Sequence, residues 1–311
     1  MNAAQGRIGA YFSVLQFFFT LTWTVYVIFL PKLAVEAGLP KSAIVWILLI
    51  DQVVFTLTDW AMGVYADRTA RVVGKLGRAI ALITAVSCLA FLLLPFIAPG
   101  GSPALFLALT LVWTATSSAL RAPPMMLIGK YTAAPSQPWL AGLYLFGLGA
   151  AGALAPYLSV TLRDADPRWP FALSTIAVVA ATAGITWAER ALADNAAPAE
   201  PSPKKPPMLL FLAGIALAGI GFQIHFSLNS AGYFLRFAKP ADLEHLMPVF
   251  WIGFNLLVLP ATLITKRFGA VAIMSAGAFL ARSPPTLRST PAVLMCCLPR
   301  SLWRERPGAW C

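Results

Sequence analysis

Residues 59–78 read Asp-Trp-Ala-Met-Gly-Val-Tyr-Ala-Asp-Arg-Thr-Ala-Arg-Val-Val-Gly-Lys-Leu-Gly-Arg. Asp67, Arg68, Arg71, Lys75 and Arg78 crowd into a short polar stretch between two long apolar runs, Ala43 to Ala66 and Ala79 to Ile97. A helix rising about 1.5 Å per residue needs about 20 apolar residues to cross a hydrocarbon core of about 30 Å. The polar stretch is therefore a loop joining two membrane-spanning helices.

The rest of the chain fits that reading. It is 59% hydrophobic and 11% charged, with a mean hydropathy of +0.75, which excludes an ordinary soluble domain. Further apolar runs cover Tyr11 to Leu30, Ala104 to Ile128, Trp139 to Leu162, Pro170 to Ala188, Met208 to Leu235 and Leu246 to Ile264, with a shorter ninth at Phe268 to Ala281. Continuous blocks of this length exclude an outer-membrane barrel, whose strands alternate over about 10 residues. The first run is too long for the apolar segment of a cleavable signal and is followed by Pro31-Lys32 without a small-residue cleavage site, so the N-terminus is expected to stay in place.

Charge sets the expected orientation. Alternate loops carry Arg7; Arg68, Arg71, Lys75 and Arg78; Lys130; Arg190, Lys204 and Lys205; and Lys266 and Arg267. The opposite loops dilute Lys32, Lys41, Arg163, Arg168, Arg236 and Lys239 with Glu36, Asp164, Asp166, Asp242 and Glu244. The positive-inside rule then makes the first set cytoplasmic, with a cytoplasmic N-terminus in a multi-pass protein of the cytoplasmic (inner) membrane. The net charge of +11 is scattered over loops and one tail, so nucleic acid is not an expected partner.

Gly63, Asp67, Arg68 and Arg71 resemble the loop between the second and third helices of the major facilitator superfamily. Ala70 stands where that family usually has a second glycine. Asp59, Gly63, Thr69 and Gly74 look more like the sugar and cation symporter branch typified by the melibiose carrier. The resemblance implies two pseudo-symmetric six-helix bundles holding a solute between them near the midplane. It also implies that Asp67 and its neighbouring arginines latch the cytoplasmic face in one alternating-access state, beyond plain topogenic charge.

Organisation along the chain agrees. Six helices in residues 1–190 precede a proline-rich linker, 191–207, and three runs follow in 208–281. The expected fold class is thus an all-α integral membrane protein, major-facilitator-like, with a six-helix N-terminal bundle and an incomplete C-terminal bundle of about three helices. Residues 282–311 lose all helical period and gather five arginines with Cys296, Cys297 and Cys311, the composition expected of out-of-frame translation; a natural disordered basic tail is the alternative. A truncated, inactive transporter remnant is one reading of this chain. The cysteines imply no disulfide framework, and Cys88 stands alone in a helix.

Chemistry is sought among polar groups inside the bilayer, where a central charge costs about 3 kcal/mol. Three stand out: Asp51, Asp59 and Arg121. Asp59 lies eight residues before Asp67, about 12 Å inward, and Arg121 nine residues before Lys130, about 13 Å inward, so the two share a depth and should touch. In the resembling symporters, helices two and four both contribute acids to a cation site. Asp59 matches one such acid, while Arg121 falls where another is expected. A fixed guanidinium would replace the bound cation, which favours protons as the coupling ion; a static pair holding the helices together is the alternative. Asp51 lies about 80° round the helix from Asp59 and has no obvious partner, so it is expected either to carry a proton or to face a water-filled vestibule. Pro123 and Pro124 remove two backbone donors and predict a kink beside Arg121.

Polar stripes mark the expected solute cavity. Gln16, Thr20 and Thr24 recur every four residues on the first helix; His225, Asn229 and Tyr233 do so on the seventh, near Gln223; Trp251 and Asn255 lie four apart on the eighth. Interhelical hydrogen bonding is the competing reading of each stripe. His225 is added as a coupling candidate because an imidazole exchanges protons near neutral pH. The run Gly147-Leu-Gly-Ala-Ala-Gly152 has the dinucleotide spacing but no preceding strand, so close helix packing is expected instead. The same helix weakly resembles the antiporter motif of the superfamily's fifth helix, which keeps drug or metabolite efflux open.

The reading that results is secondary transport of a small solute by a monomer in the lipid bilayer, coupled to protons. No cofactor or metal is expected: His225 and His245 are apart, and no phosphate-cradling loop with Lys-Ser or Lys-Thr appears. An enzyme would need a nucleophile with its base or clustered ligands inside the bilayer, and none is visible. A channel or receptor stays open and would differ in showing flux without saturation.

Overall fold

The computed structural model describes residues 3–69, 75–133, 136–194, 208–224, 232, 234–239 and 242–281. These residues form an all-helical protein without strands. In chain order the helices are α1 (Ala3–Glu36), α2 (Ala43–Thr69), α3 (Lys75–Ile97), α4 (Pro103–Ala119), α5 (Ala122–Tyr131), α6 (Gln137–Thr161), α7 (Arg168–Ala183), α8 (Ile185–Ala193), α9 (Met208–Ile224), α10 (Leu243–Phe268) and α11 (Ala270–Ala281). Joined in pairs where they run on, α4 with α5 and α7 with α8, they supply seven spans long and apolar enough to cross a membrane, and the chain reads as a multi-pass membrane protein. Of the linker expected at 191–207, residues 191–193 instead end α8, and 195–207, like the tail from 282, lie outside the described residues.

Local chemistry accounts for the boundaries. At 34 residues α1 is about 51 Å long, so it overshoots the hydrocarbon at its ends. It stops where Gly38 turns to φ +86, Gly38 N–H reaching Val35 O (3.0 Å) and Leu39 N–H reaching Ala34 O (2.9 Å). Two crossed bonds of this kind close a helix through a left-handed residue, which glycine adopts without a Cβ clash. Pro103 opens α4, where a missing N–H costs nothing.

Two spans are broken. The expected kink beside Arg121 is a full interruption: α4 ends at Ala119, α5 starts at Ala122, and Tyr144 of α6 donates its hydroxyl to Arg121 O at 3.2 Å. The second break, at Gly184, was not expected from the unbroken run Pro170 to Ala188. There the Tyr11 ring packs so closely that a Cβ on Gly184 would lie 2.7 Å from it, and Tyr11 donates to Ala181 O at 2.7 Å. At each break a tyrosine from another helix satisfies a carbonyl that hydrocarbon could not.

α1 is the spine. Its first half packs Ile8, Phe12 and Leu15 against Leu120, Leu140, Tyr144 and Ile185; its second half packs Tyr26, Phe29 and Leu33 against Phe91, Phe106, Trp113 and Phe171. α6 lies along α1 on one side and along α10 on the other. The expectation of close packing for the glycine run holds on both faces. A Cβ on Gly147 would collide with Ser13 O of α1, and one on Gly152 would lie 2.6–2.9 Å from the Trp251 indole of α10. A helix from beyond the linker is thereby seated lengthwise on one from before it. Arg163–Glu244 (3.6 Å) and the Tyr157–His245 ring contact (6.0 Å) add a surface tie at one end.

Candidate functional site

α2 and α4 lie side by side and carry two polar centres two turns apart. In the first, Asp51 is 1% exposed and accepts hydrogen bonds from Tyr26 Oη (2.9 Å, from α1) and Thr114 Oγ1 (2.7 Å, from α4). The expectation of an unpartnered carboxylate, or one facing a vestibule, is therefore corrected: three helices close over it, and both its oxygens are engaged. The reason is tertiary, since neither hydroxyl is near Asp51 in sequence.

The second centre joins Asp59 of α2 to Ser118 and Arg121 at the end of α4. Arg121 Nη2 lies 3.7 Å from Asp59 Oδ2, so the expected contact between these groups is present. Ser118 Oγ bridges them, donating to Asp59 Oδ1 and accepting from Arg121 Nη2 at 3.3 Å. The guanidinium lies over the Phe55 ring, its Cζ 4.3 Å from the centroid, a cation–π contact that fixes its plane. The pair is not sealed: the Arg121 and Asp59 side chains keep 34% and 45% exposure. Arg121 Nε, by contrast, is buried and has no hydrogen-bond partner among the described residues. At the break Arg121 N–H donates to Ser118 O of α4 at 2.9 Å.

Between the two halves of the α1 core sits a cavity of about 40 Å³, lined among others by Phe19 and Trp23 of α1, Phe55, Phe91, Trp113 and Arg121. Its walls belong to an aromatic cluster in which Tyr26 and Trp113 (4.4 Å), Trp23 and Phe55 (5.0 Å) and Phe91 and Phe171 (4.2 Å) are in contact. Ring contacts from Tyr26, which donates to Asp51, through Trp23 to Phe55, which lies under Arg121, link the two centres.

The expected solute-cavity residues fall elsewhere. Gln16 is buried and donates to Thr20 Oγ1 (3.4 Å), while Thr20 and Thr24 return their hydroxyls to carbonyls four residues back. None of the three lines the cavity, which takes Phe19, Thr22 and Trp23 from α1 instead. Asn255 meets α6: with its amide oriented to match its neighbours, it donates to Phe146 O (3.1 Å) and accepts from Ala150 N (2.9 Å). Trp251 covers Gly152. This stripe follows the competing reading, interhelical packing. His225, Asn229, Tyr233 and Arg71 lie outside the described residues; Gln223 is on α9 and Asp67 on α2. Gly63 faces open space, and Arg68 is exposed at the end of α2.

Ser118, Thr114, Tyr26, Phe55 and Tyr144 are the partners that the sequence did not announce. Thr114 and Ser118 are four apart, ahead of Arg121, and that spacing was the available signal of a polar face on α4. No known protein family matches this chain, and no curated protein matches it.

Proposed function

We propose that this chain is a secondary transporter that moves a small solute across the cytoplasmic membrane by alternating access, coupled to protons. The observation that carries the reading is the half-open Asp59–Arg121 pair, placed mid-span beside a helix break. Charged groups at that depth face a protein interior or a water-filled path, because hydrocarbon cannot hold them. Broken backbone in a span likewise occurs where it lines a cavity or is buried in protein. The seating of α10 on α6 across the linker supports two halves that face each other, as does the resemblance of residues 59–71 to the facilitator loop.

In this reading Arg121 occupies the place of a bound metal cation, and Asp59 changes partner as the two halves rock. When the carboxylate takes a proton, its attraction to the guanidinium falls and the Ser118 bridge loosens. The α4–α5 break then has a second arrangement available. Solute binding biases that two-state element only through contacts that differ between its states.

The test is uptake by proteoliposomes under an imposed pH gradient, with a panel of labelled sugars, nucleosides and short organic acids. Each charge-assisted contact is worth about 1.5–3 kcal/mol, so Asp59→Asn and Arg121→Gln should each slow coupled uptake by about tenfold or more. Saturable uptake that both variants leave undiminished would sink the assignment. Solute leaving against proton entry would turn it to antiport.

A further inference from the structure

We propose that the cavity between α1, α2, α3, α4 and α7 is a binding site for a compact monoanion, a halide or a short carboxylate. Its charge balance comes first. Among the described residues, Arg121 is the only charged one in the lining, and Asp59 is not among the walls. The one carboxylate near the guanidinium approaches a single nitrogen, at 3.7 Å, and has one oxygen engaged by Ser118. The cavity is therefore walled by low-dielectric aromatic surface and one positive group, a combination that focuses an attractive field for anions and repels cations.

Hydrogen-bonding capacity points the same way. Arg121 Nε and Thr175 Oγ1 both belong to lining residues and are buried without a partner, and Ser87, 4% exposed, adds a hydroxyl to the same walls. A buried donor without an acceptor is the costly case. An occupant that accepts from Arg121 Nε–H and the Thr175 hydroxyl supplies the missing partners, and an anion does so while answering the positive charge. The cation–π contact with Phe55 fixes the plane of the guanidinium, so its Nε–H edge is held in place for the ligand.

Size completes the description. One water needs about 10–15 Å³ of such space, so about 40 Å³ admits an occupant of roughly one to four non-hydrogen atoms. Chloride and formate fit; a six-carbon anion such as gluconate does not. This site is too small for a sugar or a nucleoside, and of the solutes named above only a short organic acid could enter it; its occupancy is read at equilibrium, so the site stands whether or not the chain moves a solute.

Cys88 lines the same cavity and reports its occupancy. In the full chain carrying Cys296→Ser, Cys297→Ser and Cys311→Ser, the rate of Cys88 reaction with methyl methanethiosulfonate is measured in sodium gluconate, chloride and formate at equal ionic strength. An anion present at ten times its dissociation constant and blocking access slows the reaction about tenfold. Chloride or formate should slow it relative to gluconate, and the pattern across the two tells a halide site from one that also takes carboxylates. Arg121→Gln should abolish the difference. Ser87→Ala with Thr175→Val, which keeps the charge, should weaken it. Thermal unfolding in the same three salts gives a second reading, with wild type stabilised by the small anions and Arg121→Gln not. Equal rates and equal unfolding temperatures in all three salts overturn the site, as does an anion effect that survives in Arg121→Gln.

Discussion

Gly147→Ala should be among the most damaging single-methyl additions in the chain. The new Cβ would fall on Ser13 O, 2.8 Å from the Ser13 carbonyl carbon and 3.1 Å from Phe17 N. All three atoms are backbone of α1, so no side chain can swing aside. Restoring an ordinary separation of about 3.5–4.0 Å requires α1 and α6 to part by about 1 Å, and such a gap forfeits about a quarter to a half of each dispersion well along the seam. Overpacking of this kind costs about 1–3 kcal/mol by itself, which puts the total at about 2–4 kcal/mol. Gly63 supplies the control: its Cβ would meet nothing within 4 Å, so Gly63→Ala should stabilise α2 by about 0.5–1 kcal/mol through helix propensity. Both variants are compared with wild type by detergent-denaturant unfolding in mixed micelles, followed by circular dichroism. The packing of α6 on α1 is refuted if the two variants unfold within about 0.5 kcal/mol of each other.

Asp51→Leu, of similar size, removes the acceptor of both the Tyr26 and the Thr114 hydroxyl, so stability should fall by about 1–3 kcal/mol. A double-mutant cycle with Tyr26→Phe checks this, and a coupling energy near zero would show that the bond contributes nothing. Tyr144→Phe and Tyr11→Phe each strip a hydroxyl from a helix-break carbonyl and should each cost about 1 kcal/mol in the same unfolding assay. Tyr157→Phe, at an exposed ring, should change nothing, and equal losses in all three would discredit the special role of the breaks.

Axial position was legible in the sequence and azimuth was not. Counting from Asp67 and Lys130 placed Asp59 and Arg121 at one depth, and they meet. The tandem prolines at 123 and 124 announced the break after Ala119, and the glycines of α6 announced close packing. Asp51 defeated the same method. Its partners come from two other helices, and depth alone cannot say which side of α2 faces them. The break at Gly184 has no proline to mark it; it depends on a Tyr11 ring arriving from 173 positions away in the chain. The Trp251 and Asn255 stripe misled for a related reason: a polar face on a spanning helix reads identically whether it greets a solute or the backbone of a neighbour. Gly149 and Gly152 on α6, which admit those two side chains, held the information needed to choose.

Asp51 and Asp59, two of the three carboxylates of α2, differ in how their hydrogen bonds are satisfied. Asp51 has both oxygens taken by hydroxyls on α1 and α4, inside a cluster of aromatic rings, so any rearrangement there would strand buried polar groups. Asp59, two turns along, meets a guanidinium at 3.7 Å through a serine that can serve either partner, and it keeps an open side. Ser118 Oγ also lies 3.1 Å from Phe55 O, but its single proton cannot serve Asp59 and that carbonyl at once. A proton placed on Asp59 would release the serine to Phe55 O without leaving an empty donor. The centre around Asp59 thus has two satisfied hydrogen-bond arrangements, where the centre around Asp51 has one. In the transport reading proposed above, any motion would therefore occur at Asp59 with Asp51 as the fixed clamp, because only a site with two satisfied states can exchange them without the cost of a buried unpaired group.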